Sequence, residues 1–214
     1  MLTNMLPLLI PLLMAGVDGS APLSFPPVWL YAPESISLVG TAGGVPSPAG
    51  MFQVRVLDKA MNPLFGATVL IDLSGCGDLK LCTDQRDPGA LVDCAAKTVR
   101  KTTNVLGIAT FTLLGGSIGY TSGGPTTLGQ KAKIYVAAIP SYWITAAVCA
   151  YDLDGFAGVG ANDLGIWLGD FGSGVAWARS DFDGDGWVGA NDLSLWVEKF
   201  AEGTMQESCT ATCP

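Results

Sequence analysis

A twelve-residue acidic pattern occurs twice in the last third of the chain and constrains the fold more than any other feature of the sequence. The first copy spans Asp152 to Asp163, and the second spans Asp181 to Asp192, 29 residues later. Carboxylates at loop positions 1, 3, 5 and 12, with glycine at position 6, direct hard oxygen ligands to one point, as a Ca²⁺ loop requires. The second copy supplies all of these, so metal binding is the leading hypothesis for this region.

The charge of the chain is concentrated in the same region. Residues 150–214 contain eleven acidic and two basic side chains, a net charge of −9, whereas residues 1–149 have a net charge of +1. Bound divalent metal would offset this local negative charge. A nucleic acid partner is disfavoured, because such partners require a basic surface.

The sequence has no histidine and six cysteines. The absence of histidine removes the commonest general base and the usual partner of a Ser or Cys nucleophile. An even number of cysteines with no CxxC pair favours disulfides, and therefore an extracellular location, over a zinc site. Six cysteines allow 15 pairings, which the sequence does not distinguish.

Composition divides the chain into three parts. Residues 1–24 are an apolar segment that is either a signal-like sequence or a retained arm that buries itself against a neighbouring subunit. Pro7 and Pro11 interrupt it, and it is too short to span a membrane. Residues 25–148 alternate short β-branched runs with turn residues and predict an antiparallel β-sandwich. Residues 149–214 hold the acidic repeat and a cysteine-containing tail.

The predicted strands cover most of residues 28–148. They are Val28–Ala32, Ser35–Val39, Phe52–Leu57, Ala67–Leu73, Leu91–Arg100, Gly107–Leu114, Lys131–Ala138 and Tyr142–Val148. The run from Phe52 through the Asn62-Pro63 turn, followed by the Thr-x-x-x-Gly-x-Ala-x-Phe pattern from Thr103 to Phe111, resembles bacterial immunoglobulin-like domains of surface proteins. The resemblance implies a spacer, adhesin or assembly module. The cysteine-bearing segment from Gly75 to Ala95 is this chain's own elaboration, and we expect it to be stapled within itself by its cysteines.

Each acidic loop is followed by an amphipathic run, from Asp163 to Phe171 and from Asp192 to Phe200, which predicts one helix per copy. Two loop–helix units of this length, with aspartate at position 12 and no helix before either loop, resemble a dockerin. The resemblance implies that the module's ends lie close together, so that Cys149 would pair with Cys209 or Cys213. The other tail cysteine would then be free to tie the module to the β-domain.

Matching positions with the dockerin pattern assigns the metal ligands. The second site would use the side chains of Asp181, Asp183, Asp185 and Asp192 with the carbonyl of Trp187. The first site would use the side chains of Asp152, Asp154 and Asp163 with the carbonyl of Gly158. Because Phe156 and Ala157 replace the acid and the glycine at positions 5 and 6, we expect one strong Ca²⁺ site and one weaker or degenerate site.

Two classes of function follow from these features. The first is a non-catalytic extracellular structural protein of a bacterium, such as a subunit of a surface fibre, whose partners are copies of itself. The alternative is a secreted module that binds a cohesin-like scaffold through its dockerin. Carbohydrate is a further candidate ligand for this module. Exposed aromatic residues for sugar stacking would be Trp29, Tyr31, Tyr120 and Trp143. A hydrolase that uses a pair of loop carboxylates in the β-region is the least favoured hypothesis, and its candidate acids are Asp72, Asp78, Asp84, Asp87 and Asp93.

Overall fold

The computed structural model describes residues 28–42, 44–77, 79–117, 131–156, 158–175, 177, 179–201 and 211–213. The expectations for residues 1–24, for Tyr120 and for Cys209 fall outside these ranges. Within them the protein is mainly β, with two helices near the C-terminus. The strands are β1 (Trp29–Tyr31), β2 (Ser35–Leu38), β3 (Thr41–Ala42), β4 (Val45–Pro46), β5 (Met51–Leu57), β6 (Thr68–Asp72), β7 (Leu79–Leu81), β8 (Leu91–Asp93), β9 (Thr98–Thr102), β10 (Ile108–Thr112), β11 (Gly115–Ser117), β12 (Lys131–Val136) and β13 (Trp143–Ala150). The helices are α1 (Ala161–Ser173) and α2 (Ala190–Ala201).

Two larger sheets enclose the main hydrophobic core. One sheet has six strands in the order β2-β13-β12-β6-β9-β8, and the other has three in the order β1-β5-β10. Buried and exposed side chains alternate along β5, β6 and β12, because successive side chains of a strand point to opposite faces. The inward residues of both sheets, such as Val54, Phe111, Ile71 and Ile134, belong to one buried cluster.

The six-stranded sheet differs from the expected antiparallel arrangement at its edge. Strand β2 pairs in parallel with β13, with Ile36 opposite Val148, whereas the pairs β13-β12, β12-β6, β6-β9 and β9-β8 are antiparallel. The prediction of a purely antiparallel sheet was therefore wrong at this edge. The parallel pair is formed between residues more than a hundred positions apart, so the local strand pattern carries no information about its direction.

The predicted strand Leu91–Arg100 is two strands joined by a tight turn. Strands β8 and β9 pair antiparallel, and the Asp93 carboxylate accepts a hydrogen bond from the amide of Ala96 at 3.1 Å. Lys97 ends the turn with a φ of 53°. A non-glycine residue in this conformation gives no sequence signal for a turn, which explains the missed break.

The disulfides differ from the expected pairings. Cys94 is bonded to Cys213, which lies 119 positions later in the sequence, and Cys82 is also disulfide-bonded. The segment from Gly75 to Ala95 is therefore not stapled within itself through Cys94. Cys149 is a buried thiol, so the expected clasp through Cys149 was wrong. The expectation that a tail cysteine ties the C-terminal region to the β-region is confirmed by Cys213.

The chain end is also held by main-chain contacts. The Cys213 amide donates to the Leu81 carbonyl at 2.8 Å, and the Thr83 amide donates to the Ala211 carbonyl at 3.0 Å. The tail thus runs beside the end of β7. Among the described residues, no helix has the length and apolar character required to cross a membrane.

Candidate metal centre

The two acidic loops lie at equivalent places in a duplicated unit. The first loop begins two residues after β13 and leads into α1, and the second leads from the region after α1 into α2. Asp152 and Asp181 stand at position 1 of the loops, and Asp163 and Asp192 at position 12, inside the first turn of each helix. Each predicted helix is present, and each begins two residues before its position-12 aspartate.

The position-12 aspartates hold the loops closed through backbone hydrogen bonds. In the first loop, Asp163 Oδ1 accepts the amides of Leu153 and Asp154 at 2.6 and 2.8 Å, and Oδ2 accepts the amide of Gly160 at 2.7 Å. The aspartate is 1% exposed. A buried carboxylate with three amide donors fixes the loop conformation and also satisfies an amide at the helix start.

The second loop repeats these bonds. Asp192 Oδ1 accepts the amides of Phe182 and Asp183, and Oδ2 accepts the amide of Gly189 at 2.7 Å. Each partner lies 29 positions after its counterpart in the first loop, as does each aspartate. The duplication seen in the sequence is therefore a duplication of hydrogen-bond geometry.

Three carboxylates converge in the first loop. Oxygen atoms of Asp152, Asp154 and Asp163 all lie within 4.8 Å of one another. Asp152 is 8% exposed, and its Oδ1 has no hydrogen-bond partner among the described residues. A buried carboxylate oxygen without a donor is costly, so the chemistry of this site favours a cation beside Asp152. The donor set, oxygen ligands only, suits Ca²⁺.

The electrostatics of the first loop agree with this geometry. Burial, together with the charge of Asp163, raises the pKa of Asp152 to about 6, whereas the charge of Lys80 opposes the rise. Burial also raises the pKa of Asp163, against the lowering effect of its amide donors. Carboxylates with a raised pKa are destabilised as anions, and a bound cation removes that cost.

Three carboxylates also converge in the second loop. Oxygen atoms of Asp181, Asp183 and Asp185 lie within 4.8 Å of one another. This group is more exposed than the first one, and it does not include Asp192. Asp181 accepts the amides of Gly184 and Gly186 at 2.8 and 2.9 Å, and burial raises its pKa.

The two residues expected to offer carbonyl oxygens have different surroundings. Trp187 is 71% exposed, and its amide donates to Asp185 Oδ1 at 2.8 Å. Gly158 is buried and has a φ of 80°. Glycine at position 4 is required in both loops, because Gly155 and Gly184 have φ values of 72° and 77°. The turn glycine was expected at position 6, and the Asp-x-Asp-Gly spacing shared by both copies is the signal that would have indicated a turn at position 4.

A second buried cluster joins the helices to the sheets. It contains Trp167 of α1, Trp196 of α2 and Phe182 of the second loop together with Val39 and Leu114 of the β-region. Tyr151, the residue before the first loop, contacts the Phe182 ring with a centroid distance of 4.6 Å. The helical region therefore buries its apolar faces against the β-region.

The linker between the helices is anchored to the end of α1. Arg179 donates to both carboxylate oxygens of Asp170, at 2.7 and 2.6 Å, and the Ser180 hydroxyl donates to the same carboxylate. Asp170 is 4% exposed, so this ion pair is buried on the carboxylate side. Because Asp181 directly follows Ser180 in the chain, these contacts with Asp170 place Asp181 at the start of the second loop.

The loop acids of the β-region serve local structure. Asp87 pairs with Lys101 at 2.8 Å and accepts the Thr112 amide at 3.0 Å. Other acids of this set cap nearby turns by accepting backbone amides: Asp72 from Ser74, Asp84 from Arg86 and Asp93 from Ala96. Asp78 lies outside the described residues.

No protein-family model matches the chain, and a search of curated proteins finds no matching relative.

Proposed function

We propose that the protein is a non-catalytic structural protein of the bacterial cell exterior, in which Ca²⁺ bound by the paired acidic loops stiffens the attachment of two helices to a β-domain. Copies of this unit would assemble with one another. The observation that carries the proposal is the buried Asp152 carboxylate, which converges with Asp154 and Asp163 and has an unpartnered oxygen. The proposal extends to the second loop because Asp192, its position-12 residue, accepts the matching hydrogen bonds.

The proposal includes an assignment of both parts. The β-region is proposed to be an immunoglobulin-like sandwich, supported by the core between the six- and three-stranded sheets. The helical region is proposed to be dockerin-like, supported by two loop–helix units related by 29 residues. The shared second cluster favours a fastened cap over a module on a free linker, because separating the parts would expose both tryptophans.

Calcium removal is expected to lower the melting temperature. A ligand that binds only the folded state at one hundred times its Kd adds about 2.7 kcal/mol of stability. Thermal unfolding followed in excess Ca²⁺ and in EDTA measures this difference. Asp152→Ala and Asp181→Ala should each reduce it, because each removes a position-1 ligand.

The matched control for the calcium experiment is Asp58→Ala. Asp58 accepts the amides of Ala60 and Asn62 in a turn of the β-region, so its loss removes similar hydrogen bonds away from both loops. This variant should melt lower but keep the full calcium shift. An unchanged shift in Asp181→Ala would show that the second loop is not a site, and no shift in the unsubstituted protein would overturn the calcium assignment.

Self-assembly is expected to depend on the apolar N-terminal segment. We expect the full chain to form filaments under negative-stain microscopy. Deletion of residues 1–20 removes an apolar stretch whose exposure to water is unfavourable, so the filaments should be lost and size-exclusion chromatography should report smaller species. A monodisperse monomer that the deletion leaves unchanged would contradict the assembly proposal. That result would leave the proposal of calcium sites unaffected.

A second candidate function is binding to another protein or to carbohydrate. Its support is a set of exposed apolar side chains at equivalent positions of the two helices, namely Leu168 and Phe171 on α1 and Val197 and Phe200 on α2. Phe171 and Phe200 stack on the buried tryptophans with centroid distances of 5.3 and 5.2 Å. These faces fit the proposed cohesin-like partner.

The carbohydrate version of this candidate rests on different residues. Trp29, Tyr31 and Trp143 are 37%, 49% and 48% exposed, and the rings of Trp29 and Tyr31 are proposed to stack on sugars. Lys133 already lies over the Trp143 ring, 5.5 Å from its centroid. A glycan array on the full chain separates this version from the others, since absence of binding to every sugar would remove it.

A further inference from the structure

A lysine of the β-region reaches the first acidic loop. Lys80 is the central residue of β7, and its Nζ donates a hydrogen bond to the carbonyl of Gly155 at 2.5 Å. Gly155 is position 4 of the loop, directly after the ligand candidate Asp154 and directly before Phe156, which replaces the position-5 acid. An ammonium group is therefore hydrogen-bonded to the loop at the residue next to the one that replaces the position-5 acid.

The lysine side chain also lies beside the carboxylate of Asp152. A Cβ atom at Gly116 would lie 3.1 Å from Asp152 Oδ2 and 3.4 Å from Lys80 Cε, so the two side chains share the space above this glycine. Gly116 pairs with Lys80 in the β7–β11 ladder. The amide of Ser117 donates to the Asp152 carbonyl at 3.1 Å, which holds the loop against the same ladder.

The two loops therefore differ in two ways, in the residue at position 5 and in the presence of a nearby ammonium group. The first loop has a tethered ammonium and Phe156 at position 5, whereas the second has the carboxylate of Asp185 at that position, converging with those of Asp181 and Asp183. Calcium affinity rises with the number of ligand charges, and a nearby positive charge repels a divalent cation. Both differences act in the same direction.

We propose that Lys80 sets the metal occupancy of the first loop, an inference that rests on the proposed calcium function. Its ammonium group holds the loop on β7 and supplies a fixed positive charge beside Asp152, so that the loop stays docked without metal and binds Ca²⁺ more weakly than the second loop. Lys80 acts here on the calcium affinity of the first loop and is not a ligand. The second loop then fills first as the calcium concentration rises.

Calorimetric titration of the full chain with Ca²⁺ tests this inference. The unsubstituted protein should show two classes of site, and Asp154→Ala should remove the weaker class. Lys80→Met should tighten the weaker class by about tenfold and leave the stronger class unchanged, because it removes one charge next to one site. Lys80→Gln provides the same loss of charge if the methionine variant does not fold.

Two control variants distinguish the effect of the charge at position 80 on calcium affinity from the effect of a general change in net charge. Lys80→Arg keeps the positive charge and should leave the weaker class as it is. Lys59→Met removes an exposed lysine from a turn after β5 and should change neither class.

The outcomes distinguish the two proposals. Two sites of equal affinity in the unsubstituted protein, or a weaker class that neither Lys80→Met nor Lys80→Gln strengthens, would overturn the role of Lys80 and leave calcium binding standing. Absence of calcium binding in every variant would overturn both.

Discussion

Replacing Asp163 with alanine is expected to destabilise the protein by about 1–3 kcal/mol, even in the absence of calcium. The substitution leaves the amides of Leu153, Asp154 and Gly160 without their carboxylate acceptor. The site is 1% exposed, so water does not readily replace the lost hydrogen bonds. Urea unfolding in EDTA, followed by tryptophan fluorescence, measures the loss.

Two further variants provide comparisons for the Asp163→Ala result. Asp192→Ala should cost a similar amount, because its carboxylate accepts the equivalent three amides. Asp154→Ala is the control within the same loop, since Asp154 accepts only the Phe156 amide among the described hydrogen bonds. A loss of less than about 1 kcal/mol for Asp163→Ala, the size of one ordinary hydrogen bond, would refute the role of Asp163 as the closure of the loop.

Removing the Cys94–Cys213 disulfide is expected to cost about 2–4 kcal/mol. The bond joins residues 119 positions apart, but the disulfide of Cys82 remains and limits the conformational freedom that the unfolded chain regains. Cys213 is also part of the main buried cluster. Replacement of both cysteines by serine, followed by thermal and urea unfolding against the oxidised protein, measures the effect.

Cys149→Ala is the matched control for the disulfide variant. Cys149 is buried like Cys213, but its thiol is not in a disulfide and lies 3.2 Å from the Ser37 hydroxyl. Its loss should cost only about 1 kcal/mol, as expected for a small buried side chain. If the double serine variant were no less stable than this control, the disulfide would not be a principal restraint on the fold.

The strand pattern could be predicted where burial follows the two-residue period. Along β5, Phe52, Val54 and Val56 are buried while Gln53 and Arg55 are exposed, and this alternation is written directly in the residue types. The short strands β3, β4, β7 and β11 were missed. With two or three residues each, they are too short to show a period, and Gly115 and Gly116 of β11 have low strand propensity.

The convergence of the acidic side chains in the first loop was predictable, but their surroundings were not. The spacing of Asp152, Asp154 and Asp163 was enough to predict that their carboxylates converge. Lys80 could not be found in this way, because it lies 72 positions before Asp152 and contacts the loop only through the docking of β7. The unpartnered Asp152 oxygen likewise depends on that docking.

By itself, the sequence determined the local units of this protein: the alternating strands, the two acidic loops and the helix that follows each loop. These depend on contacts between residues close in the chain, which spacing and residue type specify. Only the tertiary structure decided the parallel pairing of β2 with β13, the bond between Cys94 and Cys213, and the contact of Lys80 with Gly155. Each joins segments more than seventy residues apart, and their meeting is set by how the whole core packs.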